Sequence, residues 1–170
     1  MKMNASFDDP ILEEFVSSNF NQKVEFIQRH GMNYENDKWS GKTFLHIAAI
    51  HGDLELIQFL IDNGADVNAK DNNGIGCSPL FDSISLNSQD EKCFKFLIKS
   101  GADVNMEELY RTTTPLHFAV KYSPLNFVKI LLDNGAKFDI IPKNQYIVKI
   151  QTNLWNLLWN WLLGCQNMKL

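Results

Sequence analysis

Ser40-Gly41-Lys42-Thr43 has the ending of a phosphate-binding loop, in which backbone N–H groups and a lysine cradle the phosphates of a nucleotide. That chemistry needs a glycine five residues before Gly41, and the chain has Asn36 there. Gly74-Ile75-Gly76 lacks the third glycine of a dinucleotide fingerprint and reads as a turn. Nucleophilic catalysis would need a histidine beside a serine or cysteine and a third group to orient it. His30 falls at a predicted helix C-terminus and His51 at a turn between helices, where both are expected to be solvated. The carboxylate pairs Asp8-Asp9, Glu13-Glu14 and Glu107-Glu108 are adjacent in sequence, so on a helix they diverge and cannot share a proton. Cys77, Cys93 and Cys165 are odd in number and form no Cys-x-x-Cys pair, which fits a reducing compartment and small, half-buried apolar roles. No catalytic residue, metal site or cofactor is expected, and the chain reads as a non-enzyme.

The composition agrees with that reading. The chain has 170 residues, 45% apolar and 21% charged, with a formal net charge of -4, the profile of a globular domain. Sixteen basic residues against twenty acidic ones give no electrostatic footprint for nucleic acid. The longest apolar stretch, Leu154 to Leu163, is broken by Asn156 and Asn160 and reaches half the ~20 residues of a membrane span. The N-terminus turns acidic before any apolar core, so no secretory leader is expected and the cytoplasm is the anticipated compartment.

The elements that must position any site are repeated. Asn63-Gly64-Ala65-Asp66-Val67-Asn68, Ser100-Gly101-Ala102-Asp103-Val104-Asn105 and Asn134-Gly135-Ala136-Lys137-Phe138-Asp139 recur with their glycines 37 and 34 residues apart. Ahead of them stand Thr43-Phe44-Leu45-His46-Ile47-Ala48-Ala49, Ser78-Pro79-Leu80-Phe81 and Thr114-Pro115-Leu116-His117-Phe118-Ala119. Between the two strings, Leu54, Ile57, Leu60 and Ile61 in one unit and Phe127, Ile130 and Leu131 in another show helical spacing. Thr43 and Thr114 read as N-caps, and Pro115 sits where a missing N–H does no harm. Gly52 ends the first helix, and Asn63-Gly64 ends the second with a left-handed residue. The Asp-Val-Asn that follows reads as turn chemistry projecting a loop away from the helices.

On these residues the chain resembles the ankyrin repeat family. The matching motifs are Thr-Pro-Leu-His followed by Ala, then Gly-Ala-Asp-Val-Asn, in a unit of about 33 residues. The resemblance covers about residues 10 to 145 and implies an all-α solenoid of helix-turn-helix units with short hairpin-like loops to one side. It also implies that His46 and His117 hydrogen-bond within and between repeats rather than catalyse. The expected organisation is an N-terminal tail at 1–9, a degenerate capping repeat at 10–38, and full repeats at 39–71, 72–108 and 109–141. A cap or divergent tail follows at 142–170. The second repeat carries extra residues before Pro79 and at Ser85 to Asp90, where its loops should bulge, and Phe81 replaces its histidine. In the tail, Leu154, Leu157, Leu158, Trp161 and Leu162 form one helical stripe widened by Trp155 and Trp159. This segment is a cap, a helix contacting a partner or a membrane surface, or a degenerate remnant.

A solenoid offers an open face and a row of loop tips rather than a closed pocket, which suits a protein ligand. If the family's geometry holds, the candidate partner-binding residues are Trp39, Lys42, Ile50, His51, Asn72, Asn73, Tyr110, Arg111, Lys121 and Tyr122. Among them Trp39, Tyr110, Arg111 and Tyr122 are the expected anchors, because each buries a large area around a polar handle. The function expected is a non-enzymatic protein-interaction module, monomeric, working in the cytosol or in a host's cytosol as an effector. The alternatives are a fragment of a longer repeat protein with no activity of its own, or an enzyme subunit.

Overall fold

The computed structural model describes residues 10–31, 41–72, 76–84, 91–107 and 113–137, and the side chains of these except 10–13, 121 and 122. Among the described residues are eight α-helices: α1 (Pro10–Ser17), α2 (Phe20–His30), α3 (Phe44–His51), α4 (Leu54–Asp62), α5 (Pro79–Ser83), α6 (Glu91–Lys99), α7 (Pro115–Tyr122) and α8 (Leu125–Asp133). They form four consecutive antiparallel pairs. Within the stack α3 packs on α5 and α5 on α7, while α4 packs on α6. Of the two stretches where bulges were expected, residues 73–75 of the one before Pro79 and all of 85–90 lie outside the described residues.

Composition decides which helix of each pair lies inside. Residues 44–49 of α3 are buried on every side, because Phe44-Leu45-His46-Ile47-Ala48-Ala49 has no face that water would favour. The second helices are amphipathic, each with one apolar stripe. Leu56, Ile57 and Leu60 of α4 correspond, at the glycine spacing, to Cys93, Phe94 and Leu97 of α6 and to Phe127, Val128 and Leu131 of α8, and all nine are buried. The stripe is rotated slightly from the predicted one: Leu54 and Ile61 are only half-buried, and Leu56 takes the core position. The core thus runs through the stack as one cluster, opened at its start by rings of the first unit. Phe15 lies 4.9 Å from Phe44 and 5.4 Å from Phe26 between ring centroids, and Phe94 lies 4.9 Å from Phe127.

The helix ends repeat as faithfully as the cores. The N–H of Ala65 donates to the Leu60 carbonyl at 2.9 Å while that of Gly64 donates to Ile61 at 3.0 Å. Ala102 and Gly101, then Ala136 and Gly135, make the same two bonds in the next units, so three helices close with one Schellman motif. Its residue after the cap has φ near +90°, which is why glycine stands there each time. At the helix starts, Asn19 and Gln22 form a reciprocal capping box on α2, and the Ser78 hydroxyl and Pro79 begin α5.

The Asp-Val-Asn segments do not simply project a loop. Asn68 Oδ1 accepts from the N–H of Asp103 at 2.8 Å, and its Nδ2 donates to the Gly101 carbonyl at 3.1 Å. Asn105 repeats the arrangement one unit on, with the N–H of Lys137 at 2.7 Å and the Gly135 carbonyl at 3.1 Å. Each side-chain amide therefore stands in for a peptide group and ties its unit to the next. The carboxylates of Asp66 and Asp103 hold the N–H groups of Asn68 and Asn105, which orients the amides for that task.

Replacing Asn105 with Ala removes two inter-repeat hydrogen bonds and is expected to lower unfolding free energy by about 1–2 kcal/mol in urea titration. Gly41→Ala is expected to cost more than Gly135→Ala. Both have positive φ, but a Cβ on Gly41 would lie 2.3 Å from the Cβ of Asn72 and 2.7 Å from its backbone nitrogen, whereas nothing lies within 4 Å at Gly135.

Candidate partner-binding surface

The polar residues at the start of α3 form a chain of bonds into the next repeat. His46 Nδ1 lies 3.1 Å from the N–H of Thr43 and 2.8 Å from its hydroxyl. An N–H can only donate, so Nδ1 is the acceptor and the ring proton sits on Nε2, which donates to the Cys77 carbonyl at 3.0 Å. The same carbonyl accepts from the N–H of Asp71 at 2.9 Å, and the N–H of Cys77 returns a bond to Asp71 Oδ1 at 2.9 Å. Burial, helped by the ammonium of Lys42, lowers the imidazole to about 4, so His46 is neutral and structural. His117 repeats the first half of this relay, its Nδ1 lying 3.2 Å from the N–H of Thr114. Phe81, which replaces the histidine between them, instead packs its ring 4.6 Å from that of Phe118.

Lys42, a candidate contact by sequence, is engaged within the fold: its ammonium lies 3.0 Å from Asp71 Oδ2 and 2.6 Å from Asp82 Oδ2. The Asp71 side chain is fully buried, and those of Lys42 and Asp82 are 16% and 12% exposed. Desolvation opposes the charge on Lys42, yet the two carboxylates outweigh it and hold the ammonium above its ordinary value. Desolvation dominates at Asp82 and pushes its carboxyl up to about 6 even against the attraction of Lys42. This clasp joins the loop base of one repeat to the first helix of the next. Asp71 and Asp82 went unrecognised in the sequence because they stand 29 and 40 residues from Lys42 with no motif linking them; only folding brings them to one lysine.

The other candidates fall in three groups. Asn72 is exposed and follows Asp71 at the clasp, with its backbone close against Gly41. Ile50, half-buried, and His51, exposed, lie at the far end of α3, one helix length of about 10 Å from the clasp. Partial desolvation and the ammonium of Lys23 lower His51, with Asp53 opposing. Lys121 and Tyr122 end α7, and the placement of their side chains lies outside the described residues, as do Trp39, Asn73, Tyr110, Arg111 and the Trp-rich segment 154–163. A separate open cleft of about 430 Å³ lies between α1 and α2, with Phe15 and Phe26 lined by polar side chains such as Glu14, Gln22 and Arg29. Among the described residues no group of three His, Cys, Asp or Glu is placed to hold a metal ion, and no helix is long and apolar enough to cross a membrane.

A profile of ankyrin repeats in three copies matches residues 8–108 and 72–142, and the chain belongs to the ankyrin repeat family. It is 28% identical over 105 residues to a putative ankyrin repeat protein, FPV223, of fowlpox virus, covering 62% of this chain and 70% of the viral one. It is 28% identical over 112 residues to alpha-latrotoxin-Lg1a of Latrodectus geometricus, where 66% of this chain matches 8% of the toxin. A mouse serine/threonine-protein kinase, TNNI3K, is 37% identical over 70 residues, 41% of this chain and 7% of the kinase. The chain thus spans under a tenth of the toxin and of the kinase. Ankyrin repeats are in general protein-interaction modules without catalytic activity of their own.

Lys42→Met leaves two buried carboxylates facing each other and is expected to destabilise the fold by about 3 kcal/mol, read by thermal melting at neutral pH. The pH response follows from two opposed groups. His46 binds its proton more weakly folded than unfolded, so acidification from 6.5 toward 4 removes stability, by up to about 3 kcal/mol. Asp82 binds its proton more tightly folded than unfolded, so acidification from about 6 toward 4 adds stability and offsets much of that loss. Asp82→Asn removes the offset. Its unfolding free energy should therefore fall more steeply than the wild type's between pH 6.5 and 4 (about the two limits set by His46).

Proposed function

We propose that this chain is a non-enzymatic binding module that holds one partner polypeptide across its loop tips and the concave face of its inner helices. The observation that supports the reading most directly is how the polar groups at the repeat starts are used. Thr43 bonds to His46 and His46 to the Cys77 carbonyl, while Lys42 pairs with Asp71 and Asp82 across the same joint. These groups serve the scaffold, and recognition falls to the other candidate residues: Trp39, Asn72, Asn73, Tyr110, Arg111, Ile50, His51, Lys121 and Tyr122. Binding by a rigid stack loses little conformational entropy, so a few aromatic and Arg anchors suffice for affinity.

A second reading is that the chain is one section of a longer repeat array. It is favoured by the small share of the toxin and kinase that the matches cover. In either case the binding chemistry is the same, and the cytosol, or a host's cytosol, is the compartment in which it would meet a partner.

The test is capture of a partner from cytosol on the immobilised chain, followed by titration with the purified partner. The double variant Tyr110→Ala/Arg111→Ala should weaken that binding by at least about tenfold while the melting temperature stays that of the wild type. Loss of melting temperature in this variant would make these residues part of the scaffold, and unaltered binding would move recognition elsewhere on the stack.

A further inference from the structure

The outward positions of the second helices fall nine, six and two residues before the helix-ending glycine in each unit. On α4 these are Glu55, Gln58 and Asp62, and on α6 they are Lys92, Lys95 and Lys99, all six exposed. Adjacent, packed helices therefore carry opposite charge at the same register. Lys95 is paired with Glu91 on its own helix at 2.6 Å and Lys92 is engaged as well, yet all three lysines stay exposed and outnumber that one acid, so the row is basic overall. The outer rows of α2 and α8 carry mixed signs, with Glu25 beside Arg29 and Lys129 near Asp133. The asymmetry extends to the whole chain: residues 1–90 hold 14 acidic and 6 basic side chains, and residues 91–170 hold 6 and 10.

We propose that two copies of this chain associate through this outer face, α4 of each lying over α6 of the other about a twofold axis parallel to the helices. Glu55 of one copy then faces Lys92 of the other and Asp62 faces Lys99, because each acidic residue shares its level with the lysine 37 residues later. Charge complementarity selects the occupant. An extended polyanion would be drawn to α6 and repelled by α4 beside it, and a polycation the reverse. The surface that fits both rows is one with the same two rows in opposite order, and a second copy turned by the twofold axis presents that order. Exposed ion pairs are individually weak, so the association is weak and salt-sensitive, with a Kd on the order of 1 mM at low ionic strength. The contact uses neither Ile50 nor His51 nor the loop tips, so it stands independently of the binding groove.

Sedimentation equilibrium of the full chain should show average mass rising with concentration at low ionic strength and returning to the monomer value at high salt. Glu55→Lys/Asp62→Lys makes both rows basic, and Lys92→Glu/Lys99→Glu makes both rows acidic; each variant alone should stay monomeric. Mixed together they should associate again, at least about tenfold more strongly than either does with itself, since every contact is then complementary. Recovery on mixing also shows that both variants are folded. A wild type that stays monomeric at low salt, variants that still self-associate, or a mixture that does not recover association would each overturn the proposal.

Discussion

A pair of helices only eight or nine residues long has more apolar surface than it can cover with its own side chains. Nearly everything observed here follows from that shortage. The helix α3 has no polar face, so it must be enclosed by neighbours, and it is enclosed by α4 behind it and α5 beside it. The second helix has one apolar stripe and can border water. Stacking is thus the condition under which each unit folds at all. In the first described unit, Phe15, Phe26 and Phe44 gather into a ring cluster against the core.

Apolar stacking alone would let one unit slide over the next, because greasy surfaces are tolerant of register. Directional bonds remove that freedom. Asn68 and Asn105 connect consecutive units by the same pair of bonds to backbone groups, while His46 reaches from Thr43 to the Cys77 carbonyl of the following unit. The joint between α3 and α5 carries, in addition, a lysine between two carboxylates, a costly device in a dry setting, as the elevated Asp82 carboxyl shows. The next joint uses a different solution, with Phe81 against Phe118 and the Ser123 hydroxyl on the Ile84 carbonyl. One scaffold therefore accommodates both polar and apolar joints, provided that shape is preserved.

This division of labour bears on function. A family that shares a fold binds unrelated partners because the residues that hold the stack and the residues that face outward are separate sets. Lys42 shows how close the two sets lie: it occupies a loop base next to Asn72, yet its charge is spent inside. The outer helices form a third set, tolerant of almost any polar residue, so a pattern as orderly as an acidic row beside a basic row is not required by the fold.

The repeat period, the helix-ending glycines, the Thr-x-x-His starts and the apolar stripes were legible in the sequence, because each reflects a local backbone requirement that recurs every 33 to 37 residues. The Asn of Asp-Val-Asn was visible as a repeated letter, but its role was not, since an Asx turn and an inter-unit bridge look identical in one dimension. Lys42, Asp71 and Asp82 are separated by 29 and 11 residues, and no periodicity links them. Their meeting depends on how one unit lies on the next, and with it the conversion of a candidate contact into a buried clasp. Local geometry is written in neighbouring residues; the pairing of charges across a joint is decided by the packing that excludes water from between them.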